Sequence, residues 1–349
     1  MLLPRPLLAT ALLLSTAAAH AAATGAGLDF SHQDWQLACD NTRTCRAAGY
    51  TPESGEDGAS LLLTRRAGPG QPVAVELRVD DDDEPAATDL HLHIDGRDLG
   101  ALGADGEQGG HALSRAQSDV LLAALLRDSR IHVAHRDGRH WELSDQGAAA
   151  VLLKMDEFQG RLDTPGALVR KGTRSEASVP PPLPAPVVQR PPMSPPHPGD
   201  DALARSPELR AALRATLDDA SGDCERFDEL PGDAPLQVDR LDDHRVLVST
   251  PCWLAAYNAG SGYWVANDHA PFLPRLVTTD GTDYDAGQIS ADHKGRGLGD
   301  CWSHADWTWD GTHFVPTSDY QTGMCRGMPG GFWVLPTLDI EVLDQATAE

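Results

Sequence analysis

Apolar and polar residues alternate along much of this chain in short runs, broken by glycine-, proline- and Asp-Gly-rich turns. A period of two is the signature of a strand with one buried face, so the pattern predicts short strands rather than long helices. Residues 35–39 and 44–47 flank a turn-rich segment, and residues 61–64 and 73–79 read as the next strands. Residues 90–94 alternate again and run into Asp95-Gly96, a two-residue hairpin signal. The period then changes. Ser114 with Gln117 three residues on forms a capping box, and Val120, Leu121, Ala124 and Leu125 make one apolar helical face. A second helix starts at Ser144-Asp145, with Ala148, Val151, Leu152, Met155 and Phe158 as its buried stripe. Between the helices, residues 131–134 and 139–142 flank Asp137-Gly138 as a hairpin.

Residues 180–198 hold ten prolines, which remove ladder and helix donors and favour extended polyproline geometry. A semi-rigid spacer is expected there. Beyond it, Ser206-Pro207 opens a helix to about Leu217, with proline where no donor is lost. Everything afterwards reads as strands and turns, at residues 245–249, 252–258, 262–265, 275–279, 307–309 and 332–335. Asp310-Gly311 marks a hairpin into residues 313–315. The expectation is an α+β, β-rich chain of two domains of mainly antiparallel strands. The first, residues 28–165, carries two helices; residues 166–199 are a Pro-rich linker; residues 200–345 form a Trp-rich, disulfide-bridged strand meander.

Residues 1–23 predict a secretory leader: Arg5, an apolar stretch over residues 7–14, then small residues with cleavage options at Ala19, Ala21 or Ala23. The mature protein is then expected in the periplasm or secreted, with no membrane insertion after leader removal. Export bears on Cys39, Cys45, Cys224, Cys252, Cys301 and Cys325, because an even count in an oxidising compartment reads as disulfides. Sequential pairing, Cys39–Cys45, Cys224–Cys252 and Cys301–Cys325, keeps every bridge inside one domain; no C-x-x-C zinc or redox pair exists. Charge narrows the partners. The net is −24, with −12 over residues 28–165 and −16 over residues 200–349, which repels nucleic acid and anionic membrane and suits a basic protein.

Three segments carry a resemblance. Residues 40–45 (Asp-Asn-Thr-Arg-Thr-Cys), residues 149–161 ending Asp156-Glu157-Phe158-Gln159-Gly160-Arg161, and residues 294–301 with residues 309–314 and Cys325-Arg326 stand in order along the chain. Together they resemble the exported proteobacterial proteins of domain-of-unknown-function family 1176. The first half is also loosely similar to invasion-associated locus B proteins. The resemblance implies an exported protein and carries no catalytic residue.

No motif names a chemistry. Gly295, Gly297 and Gly299 lack the strand-before, helix-after context of a dinucleotide loop, so no cofactor is expected. His91 and His93 share a strand face and, with His132, His135 or His140, supply imidazoles for a metal; exposed strand faces commonly carry such histidines, so no metal centre is expected. Asp280, Asp283 and Asp285 suggest a calcium loop but miss the required offsets. Arg296, Asp300, Trp302, Trp307, Trp309 and Arg326 are the candidate binding surface, where tryptophans would stack on a saccharide or anchor a protein. The reading is a non-enzymatic binding or envelope-associated protein, with a carboxylate-based hydrolase or an acidic inhibitor of a basic hydrolase as alternatives.

Overall fold

The structure, a computed structural model, describes residues 27–53, 58–80, 89–218, 222 and 224–345. The predicted leader and all but Asp80 of the acidic run 80–84 lie outside the described residues. The first half runs β1 (Leu28–His32), β2 (Trp35–Cys39), β3 (Cys45–Tyr50), β4 (Ala59–Arg65), β5 (Val73–Val79), β6 (Leu90–Ile94), β7 (Arg97–Ala101) and β8 (His111–Ala112). It continues through α1 (Arg115–Ala124), β9 (Ile131–His135), β10 (His140–Leu143) and α2 (Ala148–Phe158). Two antiparallel sheets result, one of six strands in the order β1-β2-β3-β4-β5-β8 and one of four in the order β10-β9-β6-β7.

The central strands β2, β3 and β4 of the six-stranded sheet are buried on both faces. Trp35, Leu37, Ala47, Leu61 and Leu63 point into a core closed by Leu121 and Ala124 of α1, Val151, Leu152 and Met155 of α2, and Leu90 and Leu92 of β6. One residue along each strand, Ala38, Ala48, Tyr50 and Leu62 pack instead on Phe332, Trp333 and Leu335 from the far end of the chain. A strand covered twice needs no polar alternation, which is why β4 is buried at every position.

Several local expectations change for identifiable reasons. Val120, expected on the inner face of α1, is exposed, while Gln117 turns inward and donates to the carbonyls of Leu99, Gly100 and Ala101 at 3.3, 3.2 and 3.1 Å. That amide closes edge strand β7 to further pairing. Helix α2 starts not at Ser144 but after Gly147, whose φ of 98° and approach to the His32 carbonyl leave no room for a side chain. Ser144 accepts from the Gln146 N–H at 3.1 Å instead.

The second half comprises β11 (Val187–Arg190), α3 (Asp200–Leu203), α4 (Pro207–Arg214), α5 (Arg226–Glu229), β12 (Gln237–Arg240), β13 (Arg245–Leu254), β14 (Ala259–Asn267) and β15 (Arg275–Gly281). Then come β16 (Asp283–Asp285), β17 (Gln288–Lys294), β18 (Trp302–Trp309), β19 (Phe314–Gln321), β20 (Leu335–Asp339) and β21 (Glu341–Asp344). Strands β12 to β15 form a four-stranded sheet and β16 to β20 a five-stranded one, both in sequence order. Leu247, Tyr263, Val265, Ile289, Trp309 and Phe314 fill the space between them, whereas Val246, Val248 and Trp264 face Leu209, Leu213 and Phe227. Helix α5 falls where only strands were expected; it follows Cys224 and sets Phe227 edge-on to Trp264. The strand expected at 332–335 begins only at Leu335, because Phe332 and Trp333 leave the ladder to plug the six-stranded sheet. Disulfides join Cys39 to Cys45, Cys224 to Cys252 and Cys301 to Cys325.

The Pro-rich segment, expected as a semi-rigid spacer outside any core, is laid down on both halves. Arg43 donates to the Pro181 carbonyl at 3.2 Å and the Leu183 N–H to Thr42 O at 3.2 Å. Strand β11 pairs in parallel with β21, and Met193 packs against the core between the two later sheets. Proline lacks a donor but keeps its carbonyl, and the four non-proline residues 187–190 supply a short ladder.

Candidate functional site

The five-stranded sheet brings together groups that are far apart in sequence. Its register sets Asp283 opposite Ser290, Ser290 opposite Asp306, Asp306 opposite Ser318 and Ser318 opposite Asp339. Directly paired residues point to the same face, so this row crosses all five strands as Asp-Ser-Asp-Ser-Asp. At about 4.8 Å per strand the carboxylates stand roughly 10 Å apart. The neighbouring row places Asp292 opposite His304 and His304 opposite Tyr320, and the next sets Lys294 opposite Trp302.

Side-chain bonds tie these rows together. Ser290 Oγ donates to Asp306 Oδ1 at 2.6 Å, His304 Nε2 lies 3.0 Å from Asp306 Oδ2, and His304 Nδ1 lies 2.7 Å from Asp292 Oδ1. The Asp306 hydrogen bond, reinforced by Asp292, pushes the imidazole up to about 9. Burial alone would raise Asp306, yet the bonds from His304 and Ser290 hold its carboxyl below the usual range. His304 also stacks on Tyr320 at 4.6 Å, and the Lys294 ammonium sits 5.3 Å from the Trp302 ring.

The chemistry follows from those protonation states. A Ser-His-Asp relay needs a neutral imidazole accepting from the serine. Here His304 is an imidazolium at neutral pH with both N–H groups committed, and Ser290 donates to a carboxylate. The constellation is a fixed charge array, not an activated nucleophile. One face each of Tyr320 and Trp302 is taken by a cation, which reduces their use as sugar-stacking platforms.

The residues singled out from sequence do not form one surface. Asp300 is fully buried; Arg296 Nε donates to it at 2.7 Å and the Gly327 N–H at 2.8 Å. The Asp300 carboxylate approaches the sulfurs of Cys301 and Cys325, but those sulfurs are bonded to each other and offer no thiolate. Trp309 is buried between the sheets with Trp307 packed against it, while Trp302 points to the opposite face beside Lys294. Arg326 donates to Asp34 at 2.9 Å, bridging the two halves. Asp280 accepts from Trp253 Nε1 at 3.1 Å, and Asp283 and Asp285 lie on a strand rather than in a calcium loop. His91 and His93 do share a face, with His132 across from His93; His135 lies on the other parity of β9, opposite Leu90.

Sequence reading missed Ser290, Asp292, His304 and Asp306. Trp302, His304 and Asp306 recur at period two, a legible signal, but their pairing with β17 depends on register across the Gly295–Cys301 loop.

A family model described as a protein of unknown function, DUF1176, matches residues 29–339. The chain belongs to that family. It is 26% identical over 311 residues to the uncharacterized protein YpfG of Escherichia coli (strain K12), covering 80% of this chain and 84% of that protein. No solved structure matches. The segments that carry the DUF1176 likeness lie at junctions of the fold. Asp40 accepts from the N–H groups of Thr42 and Thr44, both at 3.0 Å, and Asn41 pairs with both backbone groups of Asp339. Asp156 accepts from Leu168 and Val169 N–H and meets Arg65, while buried Arg161 donates to the carbonyls of Arg66 and Gly68. Gln159 reaches the carbonyls of Arg43 and Arg65. Arg296 and Asp300 brace the disulfide loop. In this DUF1176 chain the hallmark residues assemble the molecule.

Proposed function

We propose that this protein is an exported, non-enzymatic binding protein that holds a cationic protein or peptide on the polar face of its five-stranded sheet. The observation that carries the reading is the Asp283-Ser290-Asp306-Ser318-Asp339 row on a rigid sheet within a chain of net −24, with Asp283 and Asp339 exposed on either side of Asp306, which already pairs with His304. Complementary charge steers association and fixes partner sign more than it adds raw affinity. An acidic inhibitor of a basic hydrolase is one form such a protein takes. Export is supported by the leader pattern of residues 1–23.

The hydrolase alternative has one specific observation in its favour. Asp29 and Asp319 are exposed, yet desolvation by their neighbours raises both carboxyls, and the charge of Asp29 raises Asp319 further. Their setting argues the other way. Gln321 donates to Asp29 at 2.8 Å and Gln36 to Gln321 at 2.8 Å, so the pair belongs to the packed contact of β1 and β2 with β19.

Titration with a decalysine peptide and with a cationic protein of high isoelectric point, in low and high salt, tests the reading. Binding should weaken more than tenfold at high salt, and the triple variant D283N/D306N/D339N should lose most of the low-salt affinity. Equal affinity for the triple variant and a variant with three distant Asp→Asn changes would sink the sheet face as the site. N-terminal sequencing of protein recovered from the periplasm or medium tests export; an intact residue 1 would refute it.

A further inference from the structure

The outer face of the four-stranded sheet holds a second constellation. On β6, β7, β9 and β10 the register sets Asp98 opposite His93, His93 opposite His132, and His132 opposite Glu142. Leu90, Leu92 and Ile94 of β6 and Ile131 and Val133 of β9 are buried, so His91, His93 and His132 all stand on the other side. His91 and His93 are two residues apart on one strand, about 6.7 Å along it. His132 is the direct cross-strand neighbour of His93, about 5 Å away at Cβ, and the diagonal neighbour of His91 at roughly 7–8 Å. Three imidazoles therefore rise from the corners of a small triangle on rigid backbone.

The three donor nitrogens do not converge within 4.8 Å of one another in this conformation, but their surroundings favour a metal. The Asp98 carboxylate lies 3.2 and 3.1 Å from His91 Nδ1, an orienting contact of the kind that fixes the tautomer and presents Nε2. His93 and His132 stack with ring centroids 4.8 Å apart and planes 4° from parallel. His132 borders an open cavity of about 760 Å³ shared with His140 and Glu142, so one edge of the site faces solvent. We propose that His91, His93 and His132 form a three-histidine site for a divalent ion of the zinc class, with Asp98 as the orienting carboxylate and water in the fourth position.

Parallel stacked rings direct their lone pairs side by side, not to one point. Binding therefore turns His93 or His132 about its side-chain torsions to reach ligand distances of about 2.0–2.1 Å. His91 Nε2, 3.7 Å from Asp89, exchanges that contact for the metal. A site needing this rearrangement binds in the micromolar range rather than as a closed structural zinc site does.

The test is a titration of the full mature chain, first stripped with chelator, with Zn²⁺ by calorimetry and with Co²⁺ by visible absorption. One equivalent should bind, with cobalt bands of a four-coordinate nitrogen–oxygen site. H93A and H132A should each weaken binding at least tenfold, D98N about tenfold or more, and H140A, on the same face outside the triangle, should bind like wild type. No saturable 1:1 binding below 100 µM, or equal losses in H140A and H132A, overturns the proposal. Diethyl pyrocarbonate footprinting of the wild-type protein removes dependence on variant folding. Zn²⁺ should protect His91, His93 and His132, and protection located elsewhere refutes the site.

Discussion

His304 shows how much a single residue depends on its neighbours. Its two ring nitrogens meet Asp292 and Asp306, and the bond to Asp306 raises its pKa to about 9. A histidine whose folded pKa exceeds its unfolded value stabilises the fold fully below about pH 6.5 and loses that contribution as pH rises through 9. His304→Gln should therefore lower stability by on the order of 2 kcal/mol at pH 6 and by much less at pH 10, read from urea unfolding at both values. A pH-independent difference would mean that packing on Tyr320, not charge, is what the residue supplies. The period-two recurrence of Trp302, His304 and Asp306 was legible in sequence; the partnership with Asp292 was not, because nothing local sets the register of β17 against β18.

At the scale of elements, helix α2 was legible by its apolar stripe, and Ala148, Val151, Leu152 and Met155 are all buried. What that stripe could not reveal is Asp156, a fully buried carboxylate on the same helix. It accepts from two backbone N–H groups and faces Arg65, and Glu176 faces the equally buried Arg161. The four charges pin residues 161–178 onto the helix and sheet, a long-range role that propensity does not encode. Removing one member of such a network leaves a buried partner uncompensated. Asp156→Ala should destabilise by about 3–5 kcal/mol, measured by chemical unfolding. A loss below about 1 kcal/mol would place the network among the weak surface pairs. The wrong boundary at Ser144 and the exposure of Val120 have the same origin, since tertiary contacts of His32 and β7 overrule the local signal.

For the whole molecule, the division into residues 28–165 and 200–345 hides a shared core. Ala38, Ala48, Tyr50 and Leu62 from the first half meet Phe332, Trp333 and Leu335 from the second, and Trp333 Nε1 donates to Ser60 Oγ at 2.7 Å. Arg326 with Asp34, Asn41 with Asp339, and β11 with β21 tie the same seam. Two such halves should melt together. Calorimetry of the protein should show one transition, and Trp333→Ala should cost about 3–5 kcal/mol and separate it into two. Two transitions already present in the wild type would show that the seam carries little coupling.

The sequence by itself determined the strand-rich character, the hairpins at Asp95-Gly96, Asp137-Gly138 and Asp310-Gly311, the caps at Ser114 and Ser206, and the net charge. Apart from the net charge, a sum over the chain, each is set by residues a few positions apart, where periodicity, turn conformation and capping act. Tertiary structure alone decided that the centre of the six-stranded sheet is covered twice, that the proline segment is a strap, and that Trp333 leaves its neighbours for a distant sheet. It also decided which polar rows form, Asp-Ser-Asp-Ser-Asp on one sheet and Asp-His-His-Glu on another. Rows are products of register, and register is fixed by how buried faces match across strands that the chain brings together only when it folds.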